Sequence, residues 1–154
     1  MAAPKDLDRF DREILRLIAE DASLSLADIA TRVGLTPTPC WKRIRRMEQE
    51  GVILGRVTIL DPVKVGLGLS VFVEVETSDH SGAWLTAFAR LIEQTPEIID
   101  AWRMSGEVDY LLHVVVRDVA SYDAFYRKLV ATVPLRNVSS RICMERIKRA
   151  ALPI

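Results

Sequence analysis

The segment from residue 34 to residue 51 constrains the fold of this chain most, because a glycine bounds each end and a helical apolar stripe lies between them. Within it, Cys40, Ile44 and Met47 recur at i, i+4 and i+7, the spacing that places side chains on one face of an α-helix. Gly51 is expected to end the helix, because glycine readily adopts the left-handed backbone of a helix terminus. The sequence therefore predicts a helix with one buried face.

Two prolines mark the start of this helix. Pro37 and Pro39 fit its first turn, where the backbone N–H groups have no partner within the helix. The helix is therefore expected to begin at Thr36 or Thr38.

The outer face of the same helix is basic. Its four cations are Lys42, Arg43, Arg45 and Arg46. The whole chain has 21 Lys and Arg against 21 Asp and Glu, so this cluster reflects local placement rather than composition. Such a face is typical of a surface that meets phosphates, although Arg43 can instead pack toward the core or brace a neighbouring helix.

Two further helices are predicted before it. The apolar residues of the first are Leu7, Phe10, Ile14, Leu17 and Ile18, and those of the second are Leu26, Ile29, Ala30 and Val33. Asp6 or Asp8 is expected to cap the first helix and Ser23 or Ser25 the second, because a short polar side chain accepts from an unpaired N–H. Gly34 then supplies a tight turn. A helix, a glycine turn and a basic second helix form a helix-turn-helix, whose second helix enters the major groove.

The chain changes character after this motif. Residues 52–60 are rich in β-branched side chains and predict a strand or short hairpin, while Pro62, Gly66 and Gly68 break regular structure in the following connector. We therefore expect a DNA-binding domain over residues 1–52, a strand and linker over 53–68, and a second domain over 69–154.

The second domain alternates strands and helices. Period-two alternation predicts a strand from residue 69, and apolar runs predict strands over 98–105, 110–116 and 138–147. Helical spacing begins at Trp84 and again at Tyr122. The order βαββαβ is the ferredoxin-like arrangement, so the fold class is α+β. One face of such a sheet is left uncovered by its helices, which predicts a dimer that pairs two sheets.

Several protein classes are disfavoured by composition. Cys40 and Cys143 form neither a disulfide framework nor a zinc pattern, and His80 and His113 lie far apart, so no metal site is expected. No nucleophile, base and acid assemble into a catalytic constellation. No apolar run approaches the about 20 residues of a membrane span, and no secretory segment opens the chain, so a soluble, intracellular protein is expected.

Three motifs, in order along nearly the whole chain, resemble the Lrp/AsnC family of bacterial transcription regulators. They are Leu7-Asp8-Arg9-Phe10-Asp11-Arg12-Glu13-Ile14-Leu15, the run from Val33 to Ile44, and Gly106, Asp109 and Tyr110. The runs Thr38–Arg43 and Trp102–Glu107 are similar to a branch that contains a cysteine-responsive activator of cysteine detoxification. The chain departs from the family at Pro134-Leu135-Arg136-Asn137, where Pro-Gly is common.

The resemblance, together with the helical pattern, assigns double-stranded DNA contact to one set of residues. They are Thr36, Thr38, Pro39, Trp41, Lys42, Arg43, Arg45 and Arg46. Cations are expected to bind phosphates, and residues near the helix start to read bases. Trp41 can stack on sugar, touch a thymine methyl or simply cover the domain surface.

The resemblance also implies an amino-acid effector, cysteine or another such as leucine, bound between subunits. The expected residues are Trp102, Arg103, Met104, Gly106, Glu107, Asp109, Tyr110, Ser139 and Ser140. Asp109 or Glu107 would take the ammonium, while Arg103 would pair with the carboxylate or with a surface acid. Taken without the family, the segment 106–110 can equally be an ordinary hairpin turn.

The resemblance further implies a homodimer that assembles to octamers or dodecamers, located in the cytoplasm on the bacterial nucleoid, without a cofactor. Two other functions compete with this expectation. One is a ferredoxin-like metabolic enzyme or allosteric subunit. The other is an RNA-binding module, against which stands the lack of an aromatic strand that would stack bases.

Overall fold

The computed structural model describes residues 6–154, which separate into two compact units. The first comprises residues up to 59 together with 148–154, and the second comprises residues 60–147. The sequence placed the last seven residues in the second domain. They cluster instead with the first unit, where Ile154 packs against its apolar core.

The first unit contains three helices: α1 (Arg9–Glu20), α2 (Leu26–Val33) and α3 (Pro37–Gln49). Asp8 caps α1 and Ser25 caps α2, each by accepting from a backbone N–H in the first turn. Gly34 ends α2 with a φ of 72°, in the left-handed region that favours glycine. The predicted helix-turn-helix is therefore present. Of the two cap residues considered for each helix, Asp8 and Ser25 are the ones observed.

The three helices share one core. Ile14, Ile29, Cys40 and Met47 are each at most 2% exposed. Phe10 was expected on the buried stripe of α1 but is partly exposed, and its ring lies 5.4 Å beneath the guanidinium of Arg43. The predicted buried face of α3 is confirmed, because Cys40, Ile44 and Met47 are its buried residues.

The strand predicted over residues 52–60 does not form in the isolated chain. Ile53 packs against the core of the first unit, whereas the side chains after it point into solvent, with Leu54 95% and Val57 82% exposed. A strand needs a neighbour to pair its N–H and C=O groups. Among the described residues none pairs with this segment, so its β-branched pattern is left without a sheet.

The second unit is a four-stranded antiparallel sheet with two helices. Its elements are β1 (Leu69–Glu76), α4 (Gly82–Glu93), β2 (Ile98–Arg103), β3 (Tyr110–Val116), α5 (Val119–Thr132) and β4 (Asn137–Ile142). The strand order β2-β3-β1-β4 and the chain order βαββαβ confirm the ferredoxin-like prediction. The strand predicted over 138–147 ends at Ile142, since its neighbour β1 begins only at Leu69 and Cys143 makes the last backbone bond, to Ser70.

The two faces of this sheet differ in burial. Val71, Val73 and Val75 are fully buried and lie opposite Val114, Leu112 and Tyr110 on the face that α4 and α5 cover. The other face, here termed the open face, carries the alternate residues. They are Ser70, Phe72, Glu74 and Glu76 on β1, Asp100 and Trp102 on β2, Leu111, His113 and Val115 on β3, and Asn137, Ser139 and Arg141 on β4.

None of the helices formed by residues 6–154 is long and apolar enough to cross a membrane.

Candidate nucleic-acid interface and effector loop

The rotation of α3 divides its polar residues into two groups. Each helical residue turns by about 100°, so Lys42 and Arg45 lie roughly 130–170° from the centre of the apolar stripe, Arg46 lies about 125° from it on the other side from Arg45, and Arg43 lies only about 65° from it. Burial agrees with this division. Lys42 and Arg45 are exposed, while Arg43 is intermediate. The residues predicted to meet DNA therefore do not share one face.

The outer face of α3 is formed by Thr38, Trp41, Lys42 and Arg45, all of which are exposed. The Arg45 guanidinium lies 5.7 Å from the centre of the Trp41 ring and its Nη1 donates to Glu48 at 3.1 Å. Within residues 6–154, no acid forms a salt bridge with Lys42. This face can present an ammonium, a guanidinium and an indole to one groove.

The first turn of α3 leaves a hydroxyl unused. Thr36 occupies the N-cap position but its side chain makes no capping hydrogen bond. A capping side chain accepts from the second or third helical N–H, and the third residue here is Pro39, which has none. Pro37 removes a further donor, so this terminus offers anions few backbone N–H groups. Contact with phosphates must come mainly from side chains.

Arg43 and Arg46 are bound to α1. Arg43 Nη1 donates to Asp8 Oδ2 at 2.6 Å and to Asp11 Oδ1 at 2.8 Å. Arg46 Nη2 donates to Asp11 Oδ2. Of the two alternatives for Arg43, the brace to a neighbouring helix is the one observed.

These contacts shift the protonation equilibria of both partners. The hydrogen bond to Asp11 is the main reason that the pKa of Arg43 is raised, with Asp8 adding to it. The pKa of Asp8 is lowered, first by the backbone N–H of Asp11 and then by Arg43. Both shifts favour the charged forms, so the ion pairs persist at neutral pH.

The effector loop, residues 104–109, joins β2 to β3. Met104 N–H donates to the Asp109 carbonyl at 2.8 Å, and Gly106 turns the chain with a φ of 119°. Asp109 is held through both its backbone and its side chain: its backbone N–H donates to the Val75 carbonyl at 3.0 Å and its Oδ2 accepts from Thr77 N–H at 2.8 Å. The hairpin interpretation of this segment is therefore correct as far as the backbone goes, and the Asp109 carboxylate already has one partner.

The aromatic residues predicted around the effector lie on opposite sides of the sheet. Tyr110 is 9% exposed and packs against Trp84 and Phe88, with ring centroids 5.8 and 4.7 Å away. Trp102 lies on the open face and is 44% exposed. Within a single chain, these two rings cannot line one pocket.

The predicted residues on β2 and β4 are also divided. Ser139 faces the open side, whereas Ser140 lies on the helix side and hydrogen-bonds to the Tyr122 hydroxyl. Arg103 pairs with Tyr110 and therefore lies on the helix side as well. Glu107 and Gly106 are exposed in the loop. The structure therefore brings the predicted loop residues together, but it places Ser139 and Ser140 on opposite faces of the sheet.

Sequence reasoning missed two arrangements. Asp8 and Asp11, the acids that bind the arginines of α3, were recognised only as a family motif and a possible cap; their i, i+3 spacing is the signal for a shared face. On the open face, His113 Nε2 lies 2.7 Å from Ser70 Oγ and its Nδ1 lies 3.8 Å from Asp100. Only the strand register joins these three residues, so no local pattern could reveal them.

Comparison with known proteins matches both units. Residues 7–53 match a winged helix-turn-helix DNA-binding model and residues 70–153 match the Lrp/AsnC ligand binding domain. The chain is similar to the DNA-binding transcriptional activator DecR of Escherichia coli strain K12, with 47% identity over 96% of this chain and 99% of that protein. The predicted fold class, a helix-turn-helix domain with a ferredoxin-like domain, is thereby confirmed, and the matched helix-turn-helix model is of the winged type.

Two solved structures resemble the chain over almost its full length. An AsnC family transcriptional regulator from Agrobacterium tumefaciens has 51% identity and a TM-score of 0.90, covering 96% of this chain and 97% of that chain. A transcriptional regulator from Neisseria meningitidis, in complex with L-Met, has 28% identity and a TM-score of 0.91 over the same shares of both chains.

Proposed function

The chain belongs to the Lrp/AsnC family of transcription regulators, and on that premise we propose that it binds promoter DNA through the outer face of α3 and responds to an amino acid at the effector loop. Trp41, Lys42 and Arg45 would make the central DNA contacts, with Thr36 and Thr38 near the bases. The observation that carries the proposal is the exposed basic outer face opposite a buried apolar stripe.

A gel shift with the promoter region upstream of its own coding sequence tests the DNA-binding part. We expect a retarded complex whose affinity falls as salt rises, since released counterions favour binding at low salt. A random-sequence duplex of equal length serves as the control. Equal affinity for both duplexes at every salt concentration would contradict sequence-specific regulation.

The effector is proposed to be a free amino acid bound at the loop. Glu107 is exposed and the Asp109 carboxylate keeps one oxygen beyond the one that binds Thr77, so either can accept the ammonium. The match to the Lrp/AsnC ligand binding domain and the similarity to the L-Met complex support this class of ligand. We propose cysteine as the first effector to test, with leucine, methionine and glutamate as alternatives.

Two variants separate the two acids. Asp109→Asn keeps an oxygen that can accept from Thr77 N–H but removes the charge, and Glu107→Gln removes the charge of the exposed acid. The readout is the Trp fluorescence change on titration with each amino acid, and the control for the reporting rings is Trp41→Phe on α3, outside the predicted effector set. If both variants respond like the unsubstituted chain, neither acid binds the ammonium.

The chain is also proposed to act as a homodimer that assembles further in the cytoplasm, on the nucleoid. Two surfaces support a second copy: the open face with Trp102 and Phe72, and the unpaired segment 52–60. A second copy would also bring Ser139 and Trp102 of the two subunits toward a shared site. Sedimentation of the full chain at micromolar concentration tests this, and a stable monomer would refute it.

A further inference from the structure

Two acids at the start of α1, Asp8 and Asp11, contact Arg43 and Arg46 of α3 and are here termed the acidic clamp. Resting on the proposed DNA-binding function, we propose that Asp11 is a positioning residue: with Asp8 it holds Arg43 and Arg46 against α1 and so sets the face that α3 presents to DNA. In this role the arginines orient the helix, and Lys42 and Arg45 contact the nucleic acid.

Asp11 is a built site rather than a chance surface pair. It is 1% exposed, and both of its carboxylate oxygens are occupied. Oδ1 accepts from Arg43 Nη1 at 2.8 Å, and Oδ2 accepts from the Asp8 backbone N–H at 3.1 Å and from Arg46 Nη2. A carboxylate is tolerated in such a place only when its charge is paired and its lone pairs are used.

The arrangement adds two directional constraints on α3 to the packing of its apolar contacts. Arg43 and Arg46 leave the helix about one turn apart and converge on one carboxylate, which opposes both rotation about the helix axis and sliding along it. The hydrophobic packing of Cys40, Ile44 and Met47 is non-directional. The ion pairs therefore contribute a directional constraint, and the apolar stripe contributes the attraction.

The clamp also separates the four cations by role. Arg43 is 25% exposed and bound to two acids, and Arg46, 44% exposed, is bound to one. Lys42 has no such partner within residues 6–154, and in the same range Arg45, 60% exposed, pairs only with the half-buried Glu48. Phosphate contacts are counted by the slope of log affinity against log salt, whereas orientation is reported by discrimination between sequences. The two roles are thus measurable separately.

The test compares four matched charge removals on α3 in the full chain: Arg43→Gln, Arg46→Gln, Lys42→Gln and Arg45→Gln. Each is titrated with a labelled duplex of its own upstream promoter region and with a random-sequence duplex, over a range of potassium chloride concentrations. Circular dichroism at the titration temperature confirms that each variant is folded. Asp11→Asn, which keeps the shape of the side chain and removes its charge, completes the set.

Lys42→Gln and Arg45→Gln are expected to make the salt slope shallower by about 0.9 for each phosphate that the variant no longer neutralises. Arg43→Gln and Arg46→Gln are expected to keep the slope. With Asp11→Asn, they should instead lower the preference for the promoter duplex over the random duplex by about tenfold, the discrimination that one misplaced base contact carries. Arg43→Lys should restore much of that preference, because one nitrogen of Arg43 already contacts both acids.

Two results would overturn the positioning role. One is that Arg43→Gln and Arg46→Gln reduce the slope of log affinity against log salt as much as Lys42→Gln does. In that case Arg43 and Arg46 would themselves contact DNA phosphates. The other is a folded Asp11→Asn variant with unchanged slope and unchanged preference. Absence of salt-dependent binding by the unsubstituted chain is a different outcome, since it refutes the proposed DNA-binding function itself.

Should Asp11→Asn fail to fold, the double variant Asp11→Asn/Arg43→Gln carries the same test, because the two amides can hydrogen-bond to each other and the charges that remain, on Arg46 and Asp8, belong to side chains that are 44% and 50% exposed. A retained slope with a reduced promoter preference is expected. A retained preference would count against the clamp.

Discussion

The recognition helix α3 and the effector loop illustrate two ways in which a chain builds a site. On α3, every predicted residue lies on one element, and its position around the axis decides whether it faces Asp11 or solvent. Around the loop, the predicted residues come from β2, β3, β4 and the turn, and strand register sends Tyr110 and Trp102 to opposite faces. A helical site is local in sequence, whereas a sheet site depends on alignment between distant segments.

The largest loss of stability is expected on substitution of Tyr110. It tests whether this residue of the predicted effector set belongs to the hydrophobic core rather than to the binding site. Tyr110→Ala should lower the free energy of unfolding of the second unit by about 3–5 kcal/mol, because it empties a buried aromatic position between Trp84 and Phe88. Hydrogen exchange of the β1 and β3 amides measures the change. Trp102→Ala on the open face is the contrasting variant.

Tyr110→Phe is the control for this prediction, because it keeps the packed ring. A folded Tyr110→Phe variant that loses its response to amino acids would return Tyr110 to the effector site and weaken the contrast between the two faces of the sheet.

The same contrast within α3 is expected to be slightly smaller. Met47 is fully buried, so Met47→Ala should destabilise the first unit by about 2–5 kcal/mol. Lys42→Ala, on the outer face, should change stability by less than about 0.5 kcal/mol while reducing affinity for DNA. Hydrogen exchange of α3 amides and the gel shift measure the two effects. A marked loss of stability in Lys42→Ala would show that the outer face contributes to the fold.

The difference between the sites also explains what the sequence could predict. Helical periodicity located Cys40, Ile44 and Met47 as a buried face, and alternation located β1, because both patterns repeat over a few residues. The apparent exception, Arg43, follows from the same 3.6-residue period once its angle to the stripe is considered. The acids that bind it lie on another helix, and only tertiary packing brings them within reach.

The effector residues were harder to predict, because each residue of a β-strand points to one of the two faces of the sheet. A sequence motif does not indicate which face that is. Ser139 and Ser140 are neighbours in sequence and therefore point to opposite sides. The prediction of a strand over residues 52–60 was wrong for a related reason. Its composition favours a strand, but composition cannot supply the partner that a strand requires.

A smaller effect distinguishes the starts of the two helices of the helix-turn-helix. Ser25 accepts from Asp28 N–H at 3.1 Å, so Ser25→Ala should cost about 1 kcal/mol of stability in the first unit. Thr36 makes no side-chain capping bond, and Pro39 removes one of the two N–H groups that a cap can use, so Thr36→Ala should leave stability nearly unchanged. Urea unfolding measures both. An equal loss in both variants would show that the Thr36 hydroxyl does stabilise α3.

The smallest expected effect is the dependence of stability on pH. It should differ between the two units, because both histidines lie in the second unit. Burial is the main reason that the pKa of His113 is lowered from 6.5; Arg146 acts in the same direction and Asp100 opposes it. The unfolded chain therefore takes up this proton at a higher pH than the folded chain. The contribution to stability is complete above the ordinary histidine value and is lost as the pH falls through the lowered one.

When the pH is lowered from about 7.5 to about 5.5, the protection of the β1 and β3 amides against hydrogen exchange should therefore decrease. The protection of the α1 and α3 amides should stay unchanged. His113→Gln should remove most of this dependence, and His80→Gln, at an exposed position, should retain it. If His80→Gln abolishes the dependence instead, the buried imidazole between Ser70 and Asp100 is not the group that titrates. A similar loss of protection in both units would point to a general effect of acid rather than to the open face of the sheet.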